Sequence, residues 1–171
     1  MPLPRQHLHP TLTTWYITWG TYGARLHGSS RPTVDREHNE RGEPFLPRDS
    51  EREAANSAVM CFPPRYFTGE QCSVAEACIP EICVRGGWEL RVCSAAADHV
   101  HVLCDVEPAI HGEKVRRLLK RWLGQELAKR WPLEPKQTFW AEEGSNIAIH
   151  DEDYLNNAFR YIFRQRETPV E

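Results

Sequence analysis

The chain has 171 residues, of which 40% are hydrophobic and 26% charged, with a formal net charge of −3. That is enough for one domain with its own core, and it excludes a disordered tail. No apolar run nears the roughly 20 residues that span a bilayer, and the opening MPLPRQHLHP lacks a basic segment followed by a long apolar one, so the expected compartment is the cytoplasm.

LTTWYITWGTY at 12–22 is rich in Thr, Trp, Tyr and Ile and is closed by Gly23, the composition of a strand. Residues 24–48 mix Gly, Pro, Ser and charge with few apolar positions and read as a surface excursion. Asp49 and Ser50 can cap a short helix over 49–60, which the CFPP at 61–64 stops. A longer helix follows from about Glu70 to Arg85, released by Gly86 and Gly87, with Pro80 expected to kink or split it. WELRVCSA and HVHVLCDV form two strand-like runs around a turn at Ala95–Asp98.

The segment 112–131 has a helical stripe of Val115, Leu118, Leu119 and Trp122. Although the whole chain is acidic, 111–131 carries seven Lys and Arg against two Glu, with Arg116, Arg117, Lys120 and Arg121 opposite the stripe. QTFWAEEGSNIAIH reads as one strand or two short pieces around Glu143–Asn146. A last helix starts after Ile149, capped by Asp151. The order strand, helix, strand, strand, helix, strand, helix predicts a ferredoxin-like split βαββαβ fold of the α+β class, with an added C-terminal helix and an antiparallel sheet carrying its helices on one face. Six cysteines contain no CxxC pair, which argues against a zinc ribbon and for reduced thiols in the core.

Chemistry concentrates in two places. Alternate residues of a strand share a face, so His99 and His101 point together and can bind one cation; two polar residues on a half-buried strand are the equal alternative. In DEDYLNNAFRYIFRQR, Leu155, Ala158, Phe159 and Ile162 form the packing stripe. Tyr161 and Gln165 lie one turn apart beside it, and Arg160 and Arg164 are displaced toward solvent. Among the five tyrosines, Tyr16 and Tyr22 fall on or after the first strand, Tyr66 follows a Pro-Pro loop, and Tyr154 occupies the first turn of the last helix. Only Tyr161 combines an amide one turn on with flanking arginines.

HVH on a central strand followed by a helix with YxxxQ resembles the HUH nucleases that use a single tyrosine. The closer likeness is to small insertion-sequence transposases and the REP-associated tyrosine transposases, over about 12–166, from WYITWGTYGARLHG through DHVHVL to FW and GS before the last helix. The resemblance implies a single-tyrosine transposase over residues 1–171, with 24–69 as an insertion beyond the minimal enzyme. It assigns His99, His101 and Gln165 as ligands of Mg²⁺ or Mn²⁺ and Tyr161 as the nucleophile. The partner would be hairpin-flanked single-stranded DNA, held by Arg116, Arg117, Lys120, Arg121, Arg160 and Arg164. It allows a homodimer, leaving monomer versus dimer open, and suits a nucleoid-associated location in the cytoplasm. The YIFRQRETP of this chain departs from the YIHxNP-like run of many relatives. Physically, a cation on a phosphate oxygen withdraws charge that would repel a nucleophile, and a tyrosine, weak at its ordinary pKa of about 10, needs that help.

Two other readings use fewer of these residues. A histidine-triad hydrolase wants a third alternating histidine where Leu103 stands. A non-catalytic ferredoxin-like module that binds RNA or DNA hairpins needs the sheet and basic helix but not His99, His101 or Gln165. Trp15, Trp19 and Trp140 could stack unpaired bases, with the core as their other destination.

Overall fold

A computed structural model describes residues 2–24 and 49–168; the proposed excursion at 24–48 therefore lies almost wholly outside the described residues. The elements run β1 (Thr13–Thr21), α1 (Ser50–Ala58), α2 (Gly69–Gly86), β2 (Glu89–Ala95), β3 (His99–Val106), α3 (Gly112–Arg130), β4 (Trp140–Ile149) and α4 (Glu152–Glu167). The strands form one sheet in the order β2-β3-β1-β4, antiparallel throughout. This is the ferredoxin-like α+β arrangement, and the added C-terminal helix is α4.

Local chemistry explains the boundaries. Thr68 and Gln71 form a reciprocal capping box that starts α2, and Gly87, in the left-handed region at φ +73°, ends it. Pro80 does not split α2. It lacks the N–H that would bond the Glu76 carbonyl, but that carbonyl accepts from the Cys93 thiol of β2 at 3.9 Å. The proline side is solvent-exposed, and the helix runs through.

The buried line of α3 is Val115, Leu119, Leu123 and Leu127, whereas Leu118 and Trp122 are only half-buried. β4 is a single strand, with a register shift where Trp19 gives way to Thr21. All six cysteines are free thiols, and the five outside Cys61 are wholly or partly buried.

The sheet is covered on both faces, not on one as its element order implied. α2 and α3 pack with Val100, Val102, Cys104, Trp15, Ile17 and Trp19 into the larger core, while α4 covers the other face around Leu103, Val92 and Ile149. The reason is legible in β3, where every residue is buried. A strand buried on both faces needs two layers of cover. Trp15, Trp19 and Trp140 belong to the larger core, which removes them as base-stacking residues.

Candidate functional site

The site begins with the alternation of β3. His99, His101, Leu103 and Asp105 project to the α4 face, and the valines between His99 and Leu103 project to the α2/α3 core. Both histidines are buried, with relative exposures of 7% and 6%. Their ring centroids lie 4.6 Å apart and nearly perpendicular.

Each ring is held by its Nδ1. The Asp98 carboxylate sits 2.5 Å from His99 Nδ1. Thr18 Oγ1 lies 2.7 Å and Tyr16 Oη 3.2 Å from His101 Nδ1. These partners come from the strand alternation of β1, where Thr14, Tyr16 and Thr18 face α4 while Trp15, Ile17 and Trp19 face the core. Burial, followed by the nearby Tyr161, pushes the Tyr16 phenol well above its usual pKa, so it stays a neutral hydroxyl.

α4 supplies the remaining groups. The Asp151 carboxylate accepts from Tyr154 N–H at 2.7 Å and fixes where the helix starts. Leu155, Ala158, Phe159 and Ile162 then turn toward the sheet. The N-terminal segment braces the same helix: Gln6 N–H donates to Asn156 Oδ1 (2.8 Å), Asn156 Nδ2 donates to the Gln6 carbonyl (2.9 Å), and Leu3 and Leu8 pack beside it. This phase brings the Gln165 amide to His99 Nε2, with nitrogens 2.6 Å apart, while Gln165 Oε1 accepts from Ser94 Oγ at 3.1 Å.

One turn back, the Tyr161 ring meets His101 at 5.5 Å between centroids. It is 54% exposed, in contrast to the two buried imidazoles. The end of the helix is tied by Arg166 to Glu76 of α2 (3.5 Å), whose carboxylate also accepts from Ala95 N–H at 2.9 Å. Burial raises the Glu76 pKa, and those two partners pull it back.

His99, His101, Gln165 and Tyr161 thus come together in one place. Among the described residues no group of three or more His, Cys, Asp or Glu is placed to hold a metal; the donors here are two imidazoles and an amide. Their chemistry fits a divalent cation. A carboxylate on His99 Nδ1 would leave Nε2 as the nitrogen to meet a metal, as outer partners of metal-bound histidines do. Turning the Gln165 amide over would present its oxygen beside His99 and its NH₂ to Ser94, whose hydroxyl accepts as readily as it donates.

The cationic residues do not join this cluster. α3 lies on the opposite face of the sheet. Arg116 bonds Asn146 Oδ1 at 2.5 Å, and Lys120 Nζ donates to the Ala141 and Glu142 carbonyls at 2.7 and 2.8 Å. Both side chains thereby tie α3 to β4, while Arg117 and Arg121 are exposed. On α4, Arg160 lines a depression with Arg5, Asp153 and Asn156, and Arg164 is exposed. Sequence reasoning did not single out Asp98, Thr18, Tyr16 or Ser94. Asp98 stands beside His99 in the DHVHVL run, and the alternation of β1 marks the other face of TTWYITW.

The profile of the family described as "Transposase IS200 like" matches residues 59–165. A crystal structure of a presumed transposase from Deinococcus radiodurans R1 superposes with a TM-score of 0.49 at 15% identity, covering 97% of this chain and 98% of its own. No curated protein matches at a significant level.

Proposed function

This chain belongs to the IS200-like transposase family, and from that premise we propose that it is a metal-dependent enzyme that nicks single-stranded DNA and transfers the strand through a 5′-phosphotyrosine on Tyr161. The observation that carries the reading is the shared pocket: a half-exposed phenol in ring contact with His101, one helical turn from an amide that touches His99.

In this reading His99, His101 and Gln165 hold Mg²⁺ or Mn²⁺. Nitrogen ligands favour Mn²⁺, and amide, water and phosphate oxygens accept either ion. When bound, the cation neutralises a phosphate oxygen and orients the phosphodiester. The protein's own residues do the rest. Asp98 and Thr18 fix the two imidazoles. Tyr161 Oη bonds to phosphorus as the P–O3′ bond breaks; the phenol's proton leaves to solvent, and the departing 3′-oxygen takes one up. The products are a 5′-phosphotyrosine and a free 3′-hydroxyl. Because the ester bond is kept, a second 3′-hydroxyl can attack the phosphotyrosine and restore the phenol.

The same reading treats residues 1–171 as one domain with 24–69 as an insertion, and the enzyme as a cytoplasmic, nucleoid-associated protein able to form a homodimer. Hairpin-flanked single-stranded DNA is its partner. Arg160 and Arg164 stand on the nucleophile's helix, whereas Arg116, Arg117, Lys120 and Arg121 can meet only DNA that passes around the β4 edge. Among the described residues no helix is long and apolar enough to cross a membrane.

The test is a denaturing gel with a labelled hairpin-flanked strand and Mn²⁺. The wild-type protein is expected to form a covalent adduct that mass spectrometry places on Tyr161, and Tyr161→Phe should lose it with the fold intact. An adduct on Tyr154, or full cleavage by Tyr161→Phe, would overturn the assignment. Binding without any adduct would favour the non-catalytic module.

A further inference from the structure

A second feature stands at the end of the sheet that carries His99. Where β1 runs out, Tyr22 N–H donates to the Phe139 carbonyl at 2.9 Å, and the Tyr22 carbonyl accepts from Arg65 N–H at 2.7 Å. Three segments remote in sequence are stitched together there. They border an open pocket of about 330 Å³ whose lining includes Tyr22, Phe62, Arg65, Tyr66, Gln137 and Thr138.

The lining has two kinds of surface. Tyr22 and Phe62 meet edge to face at 6.4 Å, and Tyr66 keeps 49% of its surface exposed. Aromatics meant only for the core are buried beneath, as Phe67 and Phe139 are. The polar groups are fixed in place. The Arg65 guanidinium lies over the Phe139 ring, 5.0 Å from its centroid. Gln137 Oε1 accepts from Glu134 N–H (3.1 Å), so the group it can present is its NH₂. Thr138 Oγ1 accepts from Trp140 N–H (3.2 Å), which leaves its own O–H able to donate elsewhere. Such a cavity, at the small end of the ~300–1,000 Å³ range of ligand pockets, suits a flat π-faced group with acceptor atoms on its edge.

Its position names the source of that group. Thr21 N–H donates to the Asp98 carbonyl at 2.9 Å, and Phe67 N–H donates to the Ala97 carbonyl at 2.7 Å. The pocket is therefore built on the backbone that carries His99. Ala97 and Asp98, whose carbonyls hold the pocket's frame, immediately precede His99 on the chain.

We propose that this pocket takes one unpaired base of the DNA strand, stacked against Tyr22, Phe62 and Tyr66, with its edge met by Gln137 and an adjacent phosphate by Arg65. The proposal rests on the reading of the histidine site as one that acts on DNA. It differs from recognition in a groove, because stacking accepts any base and excludes paired ones.

The experiment is an abasic scan. Fluorescence anisotropy would follow the full-length protein binding hairpin-flanked strands in which each unpaired position is made abasic in turn. One position should weaken wild-type binding by about 5- to 100-fold, the range of base–aromatic stacking. The double variant Tyr22→Ala/Tyr66→Ala should lose a similar factor on the intact strand and become indifferent to that position. Tyr22→Phe/Tyr66→Phe keeps the rings and should keep the same abasic-sensitive position; if the alanine variant fails to fold, loss of that position in the phenylalanine variant overturns the proposal.

A flat scan in the wild type, or an alanine variant that folds and still senses the abasic position, overturns the proposal. So does a proline-rich peptide that occupies the pocket while the scan stays flat. A Tyr161 adduct with a flat scan would sink the pocket alone. A position-dependent scan without an adduct would sink the nicking reaction and leave the pocket standing.

Discussion

On one face of the sheet, Val100, Val102 and Cys104 meet Trp15 and Ile17 under α2 and α3; on the other face of the same strands, His99 and His101 meet Thr18 and Ser94 under α4. The first face is closed by apolar contact, which is strong and tolerant of chemistry. The second has a small apolar patch around Leu103 and Ile162 and is otherwise closed by hydrogen bonds, each worth about 1 kcal/mol net. One sheet thus divides its labour: one side keeps the fold, and the other keeps polar groups at fixed positions beside the half-exposed Tyr161.

Substitutions on the two faces should separate stability from function. Leu119→Ala removes a wholly buried side chain under α3 and is expected to destabilise by about 2–5 kcal/mol in urea melts. His101→Ala breaks contacts with Thr18 and Tyr16 and should lower stability by only about 1–2 kcal/mol while abolishing metal-stimulated cleavage. Equal destabilisation by both would show that the α4 face is part of the main core after all.

Within the polar face, Asp98→Asn keeps the shape of the group on His99 Nδ1 but removes its charge. On the proposed reading, Mn²⁺ affinity followed by paramagnetic resonance of the free ion should fall about 10- to 100-fold with the melt little changed. Unchanged affinity would mean that Asp98 serves the turn between β2 and β3 and not the histidine.

The smallest effect belongs to the apolar side. Burial, reinforced by the charge of Arg116, holds the Lys120 ammonium at about 8 against its ordinary 10.5. Between those values the unfolded chain binds more protons than the folded one, so this residue's contribution rises with pH, is complete above 10.5 and is lost as pH falls through about 8. Urea midpoints of the wild type should climb relative to Lys120→Met between pH 8 and 10. Parallel curves would show that the two carbonyl bonds keep Lys120 charged throughout.

The element order and most boundaries could be read from the residues, because caps such as Asp151 and breakers such as Gly87 act locally. The pairing of His99 with His101 was legible for the same reason, since a strand's period fixes it. What could not be read is which layer covers which face. The polar side of β1 shows in the alternation of Thr14, Tyr16 and Thr18, but nothing local says that α4 crosses to it. That Pro80 does not split α2 could not be read either, because the thiol that meets the stranded carbonyl comes from β2. Lys120 and Arg116 looked like a solvent-facing stripe, yet they bond β4, a contact that only the register of α3 against that strand determines.

One consequence follows from how α4 is fastened. Its first half is gripped by Leu155, Ala158, Phe159 and Ile162 and by the bonds to Gln6, whereas no described residue after Ile162 is fully buried. The last turns are held by Phe163 at the edge of the small core and by the polar contacts of Gln165 and Arg166. Such a helix can peel from its far end at a free energy well below that of global unfolding. Tyr161 sits at the seam, anchored on one side and next to a part that can let go on the other. On the proposed reading, a bulky strand would then not have to thread into a closed crevice: the end of the helix would lift, admit it, and settle back over the two imidazoles.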